Sequence, residues 1–234
     1  MPVATNRTTA GKQAKPKKPN WRQLKHTEGS ASDVPKLVES FLAFSQGRGV
    51  QPRDDLLGLF DGDGEWFSAS GPTIQLLLDG FSETEDNFLL LPLVAELLGA
   101  GATRAWVRPL GKTCPDDLEE IVVAHQQTLW KALLSSHPQI RSGAILVLAL
   151  SARLASESCP LLLKILNEDA SEGVQASAIL ALGRLAEIAE AVERPIAELL
   201  KNASAPAIVR GAAALTRLRS TKTDGSEIDE TLAA

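Results

Sequence analysis

Ile140-Arg141-Ser142-Gly143-Ala144-Ile145-Leu146, Val174-Gln175-Ala176-Ser177-Ala178-Ile179-Leu180 and Val209-Arg210-Gly211-Ala212-Ala213-Ala214-Leu215 are three copies of one stretch, offset by 34 and then 35 residues. A second marker keeps the same step: Pro160 and Pro195 stand 35 residues apart. A fixed period in this range is the sequence mark of a solenoid. Each unit is too small to bury its apolar face alone, so it must stack on its neighbours. The product is an extended, ridged surface rather than an enclosed pocket, which points to binding rather than catalysis.

The spacing predicts alternating short and longer helices. Asp116–Glu120 places acids in a first turn, which suits the positive end of the helix dipole. Leu118, Ile121, Val122, His125, Leu129 and Ala132 follow at helical spacing. His137-Pro138 ends that helix and opens the next, expected over 138–154. Pro160 is placed in the first turn of a helix running to Asn167. Ala170-Ser171-Glu172 caps a helix over 172–189, Pro195 opens another, and Ala205-Pro206 precedes the last. In the longer helices Val174, Ala178, Ala181, Leu182 and Leu185 form one apolar stripe. A glycine inside a helix costs about 1 kcal/mol relative to alanine. Gly143, Gly183 and Gly211 therefore mark candidate close helix contacts.

Composition agrees. The chain has 234 residues, 44% hydrophobic but only 4% aromatic and without tyrosine. Leu and Ala dominate the apolar set, favouring packed helices over sheet. Two cysteines, Cys114 and Cys159, are too few for a disulfide framework, so a reducing cytoplasm is expected. No apolar leader is read at the hydrophilic N-terminus. The apolar stretches 88–98 and 144–150 are shorter than the roughly 20 residues of a bilayer-spanning helix, so no membrane association is expected.

Charge is distributed unevenly. Residues 1–30 carry seven basic side chains (Arg7, Lys12, Lys15, Lys17, Lys18, Arg22, Lys25) against Glu28 alone, whereas the whole chain has a net charge of −5. Residues 1–20 read as a disordered basic arm, because almost no large apolar residue is present to offset the entropy of ordering. Residues 220–234 read as a second, acidic tail. Between them, 21–115 holds irregular helices interrupted by Gly and Pro, and 116–219 holds the regular repeats. The acidic overall balance argues against a whole-domain nucleic-acid binder.

The run Val174-Gln175-Ala176-Ser177-Ala178-Ile179-Leu180-Ala181-Leu182-Gly183-Arg184-Leu185 resembles the second helix of HEAT repeats. It is most similar to the short bacterial HEAT-like repeats also found in phycobilisome lyases. Trp21-x-x-Leu24-x-His26-x-x-Gly29-x-Ala31-x-Asp33-Val34-Pro35 is similar to the opening of a large family of bacterial HEAT-repeat proteins. Gly71-Pro72-Thr73-Ile74-Gln75-Leu76-Leu77 corresponds to the apolar helix that follows in that family. Where the family often has a His-Gln-Gly turn, this chain has Gly62-Asp63-Gly64-Glu65. The resemblance spans residues 21–219. It implies an all-α, right-handed α-solenoid of HEAT-like helical hairpins, with irregular N-terminal repeats.

Candidate chemistries fall away on inspection. Asp61-Gly62-Asp63-Gly64-Glu65 fails as a calcium loop, since Trp66 and Pro72 occupy the sixth and twelfth positions that need Gly and an acid. The three histidines lie in unrelated segments. No His-Glu dipeptide is present, so the metal-binding pattern of HEAT-type hydroxylases is missing. No phosphate-binding loop, dinucleotide fingerprint or nucleophile elbow is found. No catalytic residue, metal or cofactor is therefore expected. Trp66, Trp106 and Trp130 read as packing residues, and Trp21 as a pin at the start of the fold.

The candidate partner-binding residues are Arg141, Arg153, Arg184, Arg210 and Arg217, which recur where longer helices would line a concave face. They could meet an acidic protein surface or a phosphate backbone. In HEAT proteins an arginine at the Arg141 and Arg210 position commonly pairs with an acid in an adjacent turn, and Glu168 or Asp169 could serve. The expectation is a non-enzymatic, cytoplasmic, bacterial protein-interaction module, a scaffold or an immunity-type binder, whose partner is a protein. Nucleic-acid binding through the basic arm and helix arginines is the alternative, and a bilin-lyase-like chaperone a third.

Overall fold

The structure, a computed structural model, describes residues 19–45, 53–60, 67–83, 88–102, 116–185 and 193–220. The basic arm, the acidic turn at 61–65, Trp66, Trp106 and the acidic tail lie outside them.

Eleven α-helices account for most of the described residues. They are α1 (Val34–Ser45), α2 (Arg53–Gly58), α3 (Ser70–Glu83), α4 (Leu90–Ala102), α5 (Asp116–Ala124), α6 (Gln126–Ala132), α7 (Pro138–Leu148), α8 (Ala155–Glu168), α9 (Glu172–Leu185), α10 (Glu193–Lys201) and α11 (Ala207–Ser220). Consecutive helices pair into hairpins: α3 with α4, α6 with α7, α8 with α9, and α10 with α11. The second helices then stack, α4 on α7, α7 on α9 and α9 on α11. This is the all-α helical-repeat architecture the period predicts. The irregular N-terminal half joins the stack directly through α4, so both halves share one layer.

Local chemistry sets the helix starts. At α7 the His137 carbonyl accepts the N–H groups of Ile140 and Arg141 at 3.1 and 3.2 Å, and Pro138 occupies the first turn, where its missing N–H costs nothing. The Ser171 carbonyl does the same for Val174 and Gln175 in α9, and the Pro206 carbonyl for Val209 and Arg210 in α11. The stripe Val174, Ala178, Ala181, Leu182 and Leu185 is fully buried. A large aliphatic side chain so buried contributes roughly 1.5–3 kcal/mol.

The three helix glycines differ. A Cβ on Gly143 would fall 2.6 Å from the Leu91 carbonyl carbon, so α7 meets α4 backbone to backbone. A Cβ on Gly183 would fall 1.9 Å from Thr216 Cγ2, so at this point of α9 the side chain of Thr216 on α11 takes up the space. Gly211 has nothing within 4 Å of that position. Two of the three thus serve close approach, and the third is tolerated.

Several boundaries depart from the expectation. The helix begun at Pro138 ends at Leu148, and Ala152–Leu154 form a separate 3₁₀ turn. The reason is Glu119 of α5, whose Oε1 accepts the Ser151 hydroxyl at 3.0 Å and the Arg153 N–H at 2.9 Å and so holds the chain in a turn. Helix α8 begins at Ala155, so Pro160 lies inside it rather than in its first turn. The proline removes the N–H due to the Ser156 carbonyl, and exposed Ser156 can give that carbonyl to water. The helix over 116–132 is broken at His125, whose φ of −100° and ψ of 8° separate α5 from α6. A short antiparallel hairpin, β1 (Lys25–His26) with β2 (Gly29–Ser30), precedes α1. It turns through Gly29 at φ +130°, a conformation that favours glycine. His26 Nδ1 accepts the Glu28 N–H at 3.1 Å, so Nε2 carries the proton toward Asp33 Oδ1 at 3.2 Å. These bonds fasten the hairpin to the first helical turn.

Candidate interaction surface

The stacked second helices α4, α7, α9 and α11 present the repeated positions in rows. Gln139, Gly173 and Ile208 occupy equivalent first-turn positions and are all exposed. Leu146, Leu180 and Leu215, the last residues of the three repeated stretches, form a second row that remains partly open to solvent. Leu215 is 40% exposed, whereas Leu146 and Leu180 are half-buried and Leu180 also packs against the core.

The arginines do not form one stripe. Arg141 is committed to structure. Its Nε donates to Asp169 Oδ2 and its Nη2 to Asp169 Oδ1, both at 2.8 Å, while Nη1 donates to the Ser135 carbonyl at 2.8 Å. This fork binds the start of α7 to the turns on either side of it, so the pairing with Asp169 is the one realised. The arginine beside Asp169 holds its carboxyl below the usual carboxylate range; burial opposes that shift and the Ser171 N–H assists it. The equivalent residue in α9, Gln175, donates to the Asp169 carbonyl at 2.8 Å and so fastens the same turn from the other side.

Arg184 lies at the end of α9 with 8% of its surface exposed, which removes it from the candidate binding face. Arg153 sits in the 3₁₀ turn before α8 instead of on a second helix, and its side chain is exposed. Arg210 and Arg217, both on α11 and two turns apart, are half-buried.

Two further features were not anticipated. An open cleft of about 380 Å³ lies by the turn between α6 and α7, lined by Phe81, Lys131, Leu134, Ser135, His137 and Ile140 among others. Leu134 at its rim is 86% exposed, and Phe88, 46% exposed, has its ring 6.1 Å from that of His137. Second, buried His125 joins the N-terminal half to the repeats. Its Nε2 lies 3.0 Å from Asp79 Oδ1 of α3 and its Nδ1 2.9 Å from the Ile121 carbonyl, with Gln75 bonded to the same Asp79 oxygen at 2.9 Å. Among the described residues no group of three His, Cys, Asp or Glu side chains converges as a metal site would require. No single helix among them is long and apolar enough to cross a membrane. Trp21 and Trp130 pack against the core, as expected.

Residues 127–216 match the family model of HEAT repeats. That span runs from α6 into α11 and takes in the three regular hairpins. No curated protein and no solved structure showed significant similarity to the chain.

Proposed function

We propose that this HEAT-repeat protein is a non-enzymatic interaction module of the bacterial cytoplasm, binding a protein partner along the open side of its stacked second helices. HEAT repeats commonly mediate contacts between proteins. The observation that carries the reading is the leucine row Leu146, Leu180 and Leu215, repeated on one layer and left partly open. A partner presenting apolar groups at the same step would dehydrate the row. Several modest contacts, none sufficient alone, would then add up. A scaffold and an immunity-type binder both use such a face. The engagement of Arg141 by Asp169 and the burial of Arg184 remove two guanidinium groups from any phosphate-binding stripe, and this favours a protein partner over nucleic acid.

The test is affinity capture from native lysate with the full chain, with and without nuclease, beside a Gly173→Arg variant. Gly173 is exposed, and only Ser171 Oγ, at 3.8 Å, lies near its Cβ position, so the arginine obstructs the open side without displacing the core. A protein recovered in stoichiometric amount after nuclease, and lost with Gly173→Arg, is the expected result. Recovery that vanishes with nuclease, or that ignores Gly173→Arg, refutes the assignment.

A further inference from the structure

We infer that His125 is held as an imidazolium in the folded chain, and that its second proton clamps α3 to the break between α5 and α6, so that the seam between the N-terminal half and the repeats responds to pH.

Each nitrogen of the ring meets an acceptor. Nδ1 lies 2.9 Å from the Ile121 carbonyl oxygen, and Nε2 lies 3.0 Å from Asp79 Oδ1 on α3. A neutral imidazole has one N–H and one lone pair. Either neutral tautomer therefore turns a lone pair on an oxygen at bonding distance, in a residue only 9% exposed, where such a mismatch is costly. The cation donates at both positions. Gln75 donates to the same Asp79 oxygen at 2.9 Å and holds the carboxylate against the ring. Its amide nitrogen also stands 3.4 Å from Nε2, farther away than the carboxylate. His26 supplies the contrast. Its Nδ1 accepts the Glu28 N–H and its Nε2 faces Asp33, which is the pair of roles a neutral ring provides.

Asp79 is the charged group set against the ring. The other charged groups on the packed elements are placed elsewhere. On α5, Asp117 lies by Gly71, Glu119 holds Ser151 and Arg153, and Glu120 is exposed. Lys131 of α6 lines the cleft, and Arg141 of α7 grips Asp169.

Position gives this proton its leverage. His125 stands where the helix over 116–132 breaks, and its ring ties that break to α3, 46 residues earlier in the chain. When the proton leaves to solvent, Nε2 becomes an acceptor facing a carboxylate, and the tie is lost. The second junction between the halves, α4 on α7, meets backbone to backbone at Gly143 and has no proton to lose there. One contact of the seam thus depends on pH and the other does not.

Nuclear magnetic resonance of the full chain labelled with ¹⁵N-histidine tests this, with the His125 signals identified by their absence in His125→Gln. The expected result is a proton on both ring nitrogens at pH 7.5, where an ordinary histidine, titrating at about 6.5, is mostly neutral. A neutral ring at that pH overturns the proposal. In Asp79→Asn the ring should be neutral at pH 7.5, and a ring still charged there would overturn the part given to Asp79. Urea titrations supply an independent reading. The folded chain holds a proton that the unfolded chain releases, so stability should fall as pH rises from 7 to 9. The unfolding constant of the wild type should rise relative to that of Asp79→Asn by up to about tenfold per pH unit, the limit for one proton. Parallel pH profiles in the two proteins would refute the clamp.

Discussion

Replacing Gly143 by alanine tests the closest contact in the stack, the one that joins the N-terminal half to the regular repeats. The new Cβ would lie 2.6 Å from the Leu91 carbonyl carbon and 2.7 Å from both Leu91 Cβ and Pro92 N. Two of these three are backbone atoms of α4 and cannot rotate away, so α7 and α4 must separate by on the order of 1 Å to restore ordinary van der Waals distance. Overpacking of this kind costs roughly 1–3 kcal/mol. Alanine's helix preference returns about 1 kcal/mol. The net expectation is a destabilisation of up to about 2 kcal/mol, or a fall of up to roughly 8 °C in Tm for a protein of this size. Gly211→Ala serves as the internal control, since nothing stands within 4 Å of its Cβ position. There the propensity gain is uncompensated, and stability should rise by about 0.5–1 kcal/mol. Urea titrations followed by far-ultraviolet circular dichroism read both variants. If Gly143→Ala gains stability as Gly211→Ala should, α4 does not pack on α7 as described.

Ala178→Leu places extra methylenes in a fully buried position of α9 and should cost about 1–3 kcal/mol in the same titration. Asp169→Asn removes the charge that Arg141 grips through two bonds and should cost about 3 kcal/mol at neutral pH. The Asp169 carboxyl is depressed in the folded state, so its contribution is present above the ordinary carboxylate range and is lost as pH falls through the folded value. The stability gap between wild type and Asp169→Asn should therefore close in acid, below about pH 4, and a gap that does not narrow there would contradict the assignment. Burial pushes the Cys159 thiol up from its ordinary value, so at pH 8 it should be alkylated far more slowly in the native chain than in urea, as mass spectrometry of the labelled peptide would show.

The repeats were legible because their signal is local. Val174, Ala178 and Leu182 follow helical spacing, and each carries its own evidence of burial. The pairing of Arg141 with Asp169 was legible as a resemblance, through the position the arginine holds in its unit. What escaped depends on residues far apart in the chain. Glu119 fixes the turn at Ser151 and Arg153, and nothing near residue 151 announces it. Pro160 was read as a helix start because prolines favour that place, but the missing N–H is tolerated one turn later when its carbonyl partner faces water. Arg184 recurs at a helix position expected to line the concave face, but the packing at the end of α9 buries it. The leucine row was overlooked for a different reason. Its members look like core residues, and only the folded layer separates a leucine turned inward from one left half open.

The stacking of the second helices has a metric consequence. Packed helices lie about 8–10 Å apart axis to axis, and a close-packed layer resists compression. The layer is therefore a ruler, with Leu146, Leu180 and Leu215 as its graduations. A helix laid across it advances about 5.4 Å per turn, so roughly two turns span one graduation. A ligand with apolar residues seven apart would meet one leucine per hairpin, while one with a shorter or longer interval would fall out of step after the second. Length and phase, as much as composition, would decide what this face accepts.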